Sequence, residues 1–158
     1  MFHKTAILAL LFGALATAAP PSINALLRPR DACAADKSVG YCTALTYTDR
    51  TGGSSAPPTS GQCEDACRSI LSDAGDWAVD FAGKPAGYRD EMVLGTCGFG
   101  VSRLSDTDTA QFSFLVHNDD MLDVIGESLS RFAGKHGGKV KADGTMDCSG
   151  HVVKWYVG

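Results

Sequence analysis

Residues 118–138 read NDDMLDVIGESLSRFAGKHGG, the most clearly patterned part of the chain. Apolar side chains recur there at the spacing of one face of an amphipathic helix: Leu122, Ile125, Leu129 and Phe132, with Met121 beside them. Asn118 is suited to cap this helix, and Asp119 and Asp120 follow where the helix dipole favours negative charge. Gly137-Gly138 would end it. The stretch predicts a helix that packs one apolar face against a sheet.

Runs rich in β-forming residues lie on both sides of this helix. We predict an earlier helix over 63–74 and strands over 41–48, 76–81, 95–104, 111–117, 139–142 and 151–157. The third and fourth strands are expected to be joined by the polar turn 105–109, and in the last strand Val153, Trp155 and Val157 share one face. This order, β-α-β-β-β-α-β-β, predicts the α+β class: a two-layer α/β sandwich with a mainly antiparallel sheet and two helices.

The cysteine content predicts that disulfides staple this fold. All six cysteines follow residue 31, and an even number in an exported chain is typical of three disulfides with 15 possible pairings. Zinc ligation is the alternative, but the C-x3-C spacing of Cys63 and Cys67 has no matching second pair. On a helix these two sulfurs share a face, so they must bond different partners. The predicted disulfide cysteines are Cys33, Cys42, Cys63, Cys67, Cys97 and Cys148.

The N-terminus predicts export. Lys4 precedes an apolar run, and small residues follow it, so residues 1–19 have the order of a secretory signal, cleaved after Ala18 or Ala19. Residues 20–30 are a leader that either is cut after Arg30 as a pro-segment or stays attached. Residues 31–158 are then a single cysteine-rich domain, secreted to the extracellular space, and the apolar run is too short for a stable membrane span.

The charge of the predicted mature domain argues against two classes of partner. The whole chain has a formal charge of -4, with 14 basic and 18 acidic residues, and the signal and leader hold three of the bases and none of the acids. An acidic domain of this kind is not attracted to nucleic acid or to anionic lipid by its bulk charge. We expect neither a nucleic-acid partner nor stable membrane insertion.

Catalytic constellations are sparse. Outside the signal the histidines are His117, His136 and His151, and there is no nucleophile elbow. A small hydrolase or nuclease that uses His117 or His151 with nearby carboxylates, for example Glu127, and with Arg103 as a phosphate clamp, is the alternative to a binding protein. The carboxylate pairs Asp76/Asp80 and Asp119/Asp123 are weaker candidates for glycoside hydrolysis. We predict no catalytic residue, no cofactor and no metal site.

The segment 141–147 is the strongest candidate for ligand binding. Asp143-Gly144 is a turn signal between two β-type runs, so a plain hairpin turn is the simplest interpretation. The functional interpretation is a projecting loop whose carboxylates bind sugar hydroxyls while a nearby aromatic ring stacks on the sugar. A calcium loop would need more ligands than this segment offers. The candidate binding residues are Asp143, Gly144, Thr145, Asp147 and Tyr156.

Residues 60–158 resemble a group of small secreted cysteine-rich fungal proteins. The resemblance rests on Cys97-Gly-Phe, on Asn118-Asp-Asp with its helix, and on the segments 138–146 and 148–157. The chain looks most like the mushroom glycan-binding type and is more loosely similar to secreted necrosis-inducing effectors and killer-toxin-like proteins. The first resemblance implies an α/β sandwich in which a loop like 142–145 takes part in ligand binding.

These observations together predict a secreted, non-enzymatic binding protein. Its expected ligand is a cell-surface or cell-wall glycan, or another surface component of a host or competitor, and it would act as a fungal effector or toxin. The oligomeric state stays open, with a homodimer among the alternatives.

Overall fold

The computed structural model describes residues 32–73 and 75–158. The predicted signal peptide (1–19) and leader (20–30), and Ala74 at the end of the first predicted helix, lie outside these residues. The described residues contain two α-helices and seven strands: α1 (Ser60–Ser72), α2 (Asn118–Phe132), β1 (Cys42–Asp49), β2 (Asp76–Asp80), β3 (Arg89–Val93), β4 (Phe99–Arg103), β5 (Ser113–His117), β6 (Ala142–Cys148) and β7 (His151–Val157).

The strands form two separate antiparallel sheets. The larger sheet has five strands in the order β1-β6-β7-β4-β3, and the smaller one pairs β2 with β5. One face of the larger sheet contributes Met146, Val153 and Trp155 to a core that also contains Ile70 of α1 and Ile125 of α2. The predicted α+β fold, with two helices and antiparallel sheets, is confirmed.

The apolar face of α2 is buried as the heptad-like spacing predicts. Met121, Leu122 and Ile125 are inaccessible to solvent, Phe132 is buried, and Leu129 is partly buried against the same core. The N-cap residue of α2 lies one position earlier than predicted. The His117 side chain accepts the Asp119 N–H, while the Asp120 carboxylate accepts the His117 N–H, so the capping residue is His117 and not Asn118.

Because Ile125 is surrounded by the core, Ile125→Ala should lower the free energy of unfolding by about 3 kcal/mol, the sum of lost burial and a residual cavity. Equilibrium denaturation of the oxidised protein measures this effect. Leu71→Ala on α1 is the matched control, because the Leu71 side chain is largely exposed and its removal should change stability by less than about 0.5 kcal/mol. Equal effects at the two positions would contradict the packing of α2.

All six cysteines are paired. The bonds are Cys33–Cys67, Cys42–Cys148 and Cys63–Cys97, and no cysteine of the described chain is free. The two α1 cysteines do bond different partners, as their shared helix face requires. Cys33–Cys67 links α1 to the segment before β1, and Cys63–Cys97 links α1 to the segment before β4. Cys42–Cys148 joins β1, at the edge of the sheet, to its neighbour β6.

Several strand predictions were wrong. No strand was predicted over 89–93, where β3 lies, because its residues Arg-Asp-Glu-Met-Val are mostly charged and lack an apolar alternation. The predicted third and fourth strands correspond to β4 and β5, but the turn between them does not make a hairpin, because β4 joins the five-stranded sheet and β5 joins β2. The predicted strand over 139–142 is also wrong, since β6 begins at Ala142.

The predicted turn at Asp143-Gly144 is wrong as well, because both residues lie inside β6. The β6–β7 hairpin turns instead at Ser149-Gly150, where both residues have positive φ angles (55° and 87°). Gly144 is glycine for a packing reason: a Cβ there would lie 1.9 Å from the Thr46 carbonyl oxygen and 2.5 Å from Cζ2 of Trp155. The indole ring of Trp155 occupies the space that a side chain at this position would need.

Candidate functional site

The second face of the five-stranded sheet carries a set of polar side chains that we call the polar sheet face. Strand register places them in two adjacent rows across the sheet. The first row consists of Thr46, Thr145, Lys154, Ser102 and Arg89, and the second of Thr48, Asp143, Tyr156 and Glu91.

At the β1 end of this face, side chains are held in place by one another. The Arg50 guanidinium donates from Nε to the Asp143 carboxylate at 2.9 Å, and both groups remain open to solvent. The hydroxyl groups of Thr46 and Thr145 are 2.8 Å apart, and the Thr46 hydroxyl also accepts the Thr145 N–H. This end therefore presents a fixed carboxylate, a guanidinium and a hydroxyl pair next to one another.

At the β3 end the central side chain is Tyr156. Its hydroxyl group is 2.8 Å from the Ser102 hydroxyl, and the Arg89 guanidinium lies over its ring, 3.9 Å from the centroid. Arg89 Nε is 2.8 Å from the Glu91 carboxylate, although the two are not aligned as a hydrogen bond. Gly100 leaves room for this arrangement, because a Cβ there would lie 2.9 Å from Glu91 Oε2.

The structure places four of the predicted binding residues on this face, three of them as neighbours, and the fifth, Gly144, in a core-facing position. Asp143, Thr145 and Tyr156 lie in neighbouring positions of β6 and β7. Asp147 is on the same face but accepts the Gly150 N–H at the hairpin, and Gly144 points to the core under Trp155. Tyr156 is half-buried, and one face of the ring proposed to stack on a sugar is covered by Arg89.

Sequence reasoning missed the basic half of the polar sheet face. The position of Lys154 could have been predicted, because the alternation of β7 already places it on the face opposite to Trp155. The position of Arg89 could not be predicted, because the sequence of β3 has no pattern typical of a strand. Arg50 follows β1, and only the pairing of β1 with β6 brings it to Asp143.

The residues of the alternative catalytic hypothesis have other partners. His117 caps α2 through Nδ1, and its Nε2 is 4.0 Å from the Asp76 carboxylate. The His151 ring stacks on Phe112, with centroids 4.6 Å apart. Arg103 is buried and donates to the carbonyl oxygens of Phe81, Lys84, Pro85 and Ala110, so its guanidinium has no free edge for a phosphate.

The third histidine is paired with an acid. His136 Nε2 lies 2.7 Å from the Asp49 carboxylate, and this hydrogen bond lowers the pKa of Asp49 from 3.8 to about 2. A carboxyl group whose pKa is lowered by folding stabilises the fold above its unfolded pKa and loses that contribution as the pH falls toward its folded pKa. The contribution of Asp49 should therefore disappear between about pH 4 and pH 2.

The expected result is that the melting temperature of the protein falls more steeply from pH 4 to pH 2 than that of Asp49→Asn, which cannot titrate at this position. Above pH 5 Asp49 is fully ionised, so its own titration no longer changes the difference in melting temperature between the two proteins. Calorimetric melting curves at half-unit steps test this. Parallel curves down to pH 2 would show that the Asp49–His136 pair does not couple to folding.

Among residues 32–73 and 75–158, no three His, Cys, Asp or Glu side chains are grouped so that they could hold a metal ion. None of the helices found in that part of the chain has both the length and the apolar character needed to cross a membrane.

The fold and the site define a disulfide-bonded α+β protein with a partly exposed, polar sheet face. Residues 41–148 match the Hce2 family, described as "Pathogen effector" and, as a proposed activity, "necrosis-inducing factor". The match covers more than half of the chain, so the protein belongs to this family. The resemblance to effector proteins is thereby confirmed, whereas the resemblance to the mushroom glycan-binding type has no such support.

The chain is also similar to a protein of Penicillium expansum named "Probable chitinase LysM18", with 29% identity over 123 residues. The match covers 75% of this chain but only 8% of the relative. The similarity therefore concerns a small part of a much longer protein.

Proposed function

We propose that this protein is a secreted effector that binds a cell-wall glycan through the polar sheet face. Membership of an effector family supports the effector role, and three disulfides suit an oxidising, extracellular compartment. The predicted signal over residues 1–19 is consistent with export. The binding role is non-enzymatic in this proposal.

The observation that carries the proposal is that the polar groups of this face are already fixed. The Arg50–Asp143 pair, the Thr46–Thr145 hydroxyl pair and the Arg89–Tyr156 stack hold planar and hydroxyl groups in place before any ligand arrives. Groups that are ordered in advance lose less entropy on binding, which favours recognition of a weakly hydrophobic ligand such as a sugar. The face supplies both donors and acceptors, as sugar hydroxyls require.

Chitin-type oligosaccharides are the first ligands to test. The name of the Penicillium expansum relative refers to a chitinase, and chitin is a neutral polymer whose hydroxyl and acetamido groups both donate and accept hydrogen bonds. A face on which Arg50 pairs with Asp143 and Arg89 with Glu91 suits a neutral ligand better than a polyanion.

Asp143→Ala should weaken the binding of chitin oligosaccharides by about tenfold to a hundredfold, because it removes a charge-assisted hydrogen bond. The melting temperature should change little, since the Arg50–Asp143 pair is exposed to solvent. Calorimetric titration with oxidised protein measures the affinity. Asp65→Ala is the control, because Asp65 also forms an ion pair with an arginine, Arg68, but lies on α1 and outside the polar sheet face.

The outcomes separate the two classes of function. Binding by the parent protein that is lost in Asp143→Ala and kept in Asp65→Ala supports the proposal. The proposal would be contradicted if Asp143→Ala bound with the same affinity as the parent protein, or if the parent bound no glycan on an array. Release of reducing ends, abolished by His117→Ala or His151→Ala, would instead establish the hydrolase alternative.

A further inference from the structure

Strand β1 is an edge strand. It pairs with β6 along one side, and in the part of the chain that the structure describes no strand pairs with its other side. The Cys42 N–H points away from β6, because it donates to the Asp120 carboxylate on α2. Alternate residues of an antiparallel strand direct their backbone groups to the same side, so the N–H and C=O of Ala44 also point toward α2. The register of β1 against β6 shifts between Ala44 and Thr46, so the regular part of this edge that can accept a further strand ends at Ala44.

A groove of about 330 Å³ runs along this edge, between β1 and α2. Cys42, Thr43, Ala44 and Tyr47 line its β1 side. At one end Asp120 bonds the start of β1, and at the other the Arg131 guanidinium lies over the Tyr47 ring, 4.5 Å from its centroid. The backbone edge of Ala44 is therefore reached from within a bounded groove, and the groove shares no residue with the polar sheet face.

The opposite wall of the groove is an acidic stripe of α2. Asp119, Asp123 and Glu127 follow one another at helical spacing along it. A cationic side chain from outside α2 already occupies the stripe: Lys37 Nζ is 2.7 Å from Asp123 and 3.9 Å from Glu127. Asp123 raises the pKa of Lys37, and the Lys37 side chain is mostly exposed, so an incoming cation can replace it.

We propose that this groove binds an extended basic peptide segment of a partner protein by strand addition to β1. The backbone of the segment pairs with the edge at Ala44, and a basic side chain on it takes the place of Lys37 between Asp123 and Glu127. The strand edge provides the docking geometry, and the acidic stripe selects the charge of the partner. This surface is additional to the proposed glycan site.

A second copy of the chain fits this groove poorly. The β1 sequence CTALTYTD contains one acid and no basic residue. A symmetric β1–β1 pairing would bring no cation to the stripe and would place two acidic stripes near each other, which is unfavourable. The charge of the groove, with five acidic and two basic side chains lining it, favours a basic partner instead.

The test uses a labelled peptide of about seven residues that alternates arginine and valine, with blocked ends. One matched peptide has glutamate for arginine, and another keeps arginine but is N-methylated at alternate residues, which removes its strand-pairing N–H groups. Fluorescence anisotropy with the oxidised protein should show at least about tenfold tighter binding of the first peptide. Amide shifts in NMR spectra should be centred on Ala44 and Tyr47.

Protein variants test the stripe. Asp123→Asn combined with Glu127→Gln should weaken binding of the basic peptide by about tenfold, whereas Asp65→Asn, an exposed acid on α1, should not. Lys37→Ala should tighten binding a few-fold, because it removes one of the two cations that pair with the stripe and leaves only Arg131, which donates to Glu127. A purely structural role of Lys37 would not produce this gain.

Three results would overturn the proposal. The N-methylated peptide could bind as well as the parent peptide, which would mean general electrostatic attraction. Lys37→Ala could leave the affinity unchanged, or the amide shifts could fall on the polar sheet face. Loss of chitin binding in Asp143→Ala bears only on the glycan site, so the two proposals fail separately.

Discussion

Removal of the Cys42–Cys148 bridge by the double substitution Cys42→Ala and Cys148→Ala should lower the free energy of unfolding by about 4–5 kcal/mol. This disulfide joins residues 106 positions apart, whereas the Cys33–Cys67 and Cys63–Cys97 bridges each span 34. In the chain-entropy model a longer loop gives a larger stabilisation, so alanine pairs at the shorter bridges should cost about 3–4 kcal/mol each. Denaturant titration of the three double variants gives the order directly.

The starting material for this comparison must be fully oxidised. The intact mass of the native protein should show six hydrogens fewer than the reduced chain, and no thiol should react with an alkylating agent, because every described cysteine is bonded. If removal of Cys42–Cys148 lowered the free energy of unfolding less than removal of a shorter bridge, the unfolded chain would already keep β1 and β6 together. Two free thiols in native protein would contradict the pairing itself.

Asp120→Ala should lower the free energy of unfolding by about 3–5 kcal/mol, nearly as much as removal of the Cys42–Cys148 bridge. The Asp120 carboxylate is buried and accepts the backbone N–H groups of Tyr41, Cys42 and His117 at 2.8–3.0 Å. It thereby caps α2 and anchors the start of β1 at the same time. Alanine would leave three N–H donors without a partner, each at a cost of about 1–3 kcal/mol where water cannot replace the carboxylate.

Two further variants separate the hydrogen bonds from the space that Asp120 fills. Asp120→Asn keeps the size of the side chain but has only one accepting oxygen. It should therefore lower the free energy of unfolding by most of the amount expected for Asp120→Ala. Asp123→Ala on the same helix removes the ion pair with Lys37, whose side chain is mostly exposed, and should lower the free energy of unfolding by less than about 1 kcal/mol. If Asp120→Asn were as stable as the parent, shape and not charge would hold this junction.

Gly40 supports the same junction. A Cβ at Gly40 would lie 2.1 Å from Asp120 Oδ1, so the backbone before β1 can approach the carboxylate only because this residue has no side chain. Neither Asp120 nor Gly40 has a sequence signal for this role. Asp120 was recognised as a favourable acid in the first turn of α2, but its two contacts to β1 join residues nearly 80 positions apart.

The candidate site was predictable in part. Asp143 and Thr145 were selected from a turn signal that proved wrong, and Tyr156 as a nearby aromatic residue. The antiparallel pairing of β6 and β7 nevertheless places the three side by side. The alternation of a strand assigns each residue to a face without regard to its partners, which is why Tyr156 and Trp155 were correctly assigned to opposite faces. The environment of Tyr156 was not predictable, because Arg89 reaches it from a strand that has no pattern of its own.

The sequence by itself determined the features that depend on short spacing: the position and buried face of α2, the oxidised state of the cysteines, the separate partners of Cys63 and Cys67, and the inward face of β7. Helical and strand periodicities are local, so a few consecutive residues contain them. Only the tertiary structure decided which cysteines pair, that β4 and β5 belong to different sheets, and that Asp143-Gly144 lies within a strand. These outcomes depend on which distant surfaces bury each other, and in β6 the Trp155 ring over Gly144 overrides the local preference of Asp-Gly for a turn.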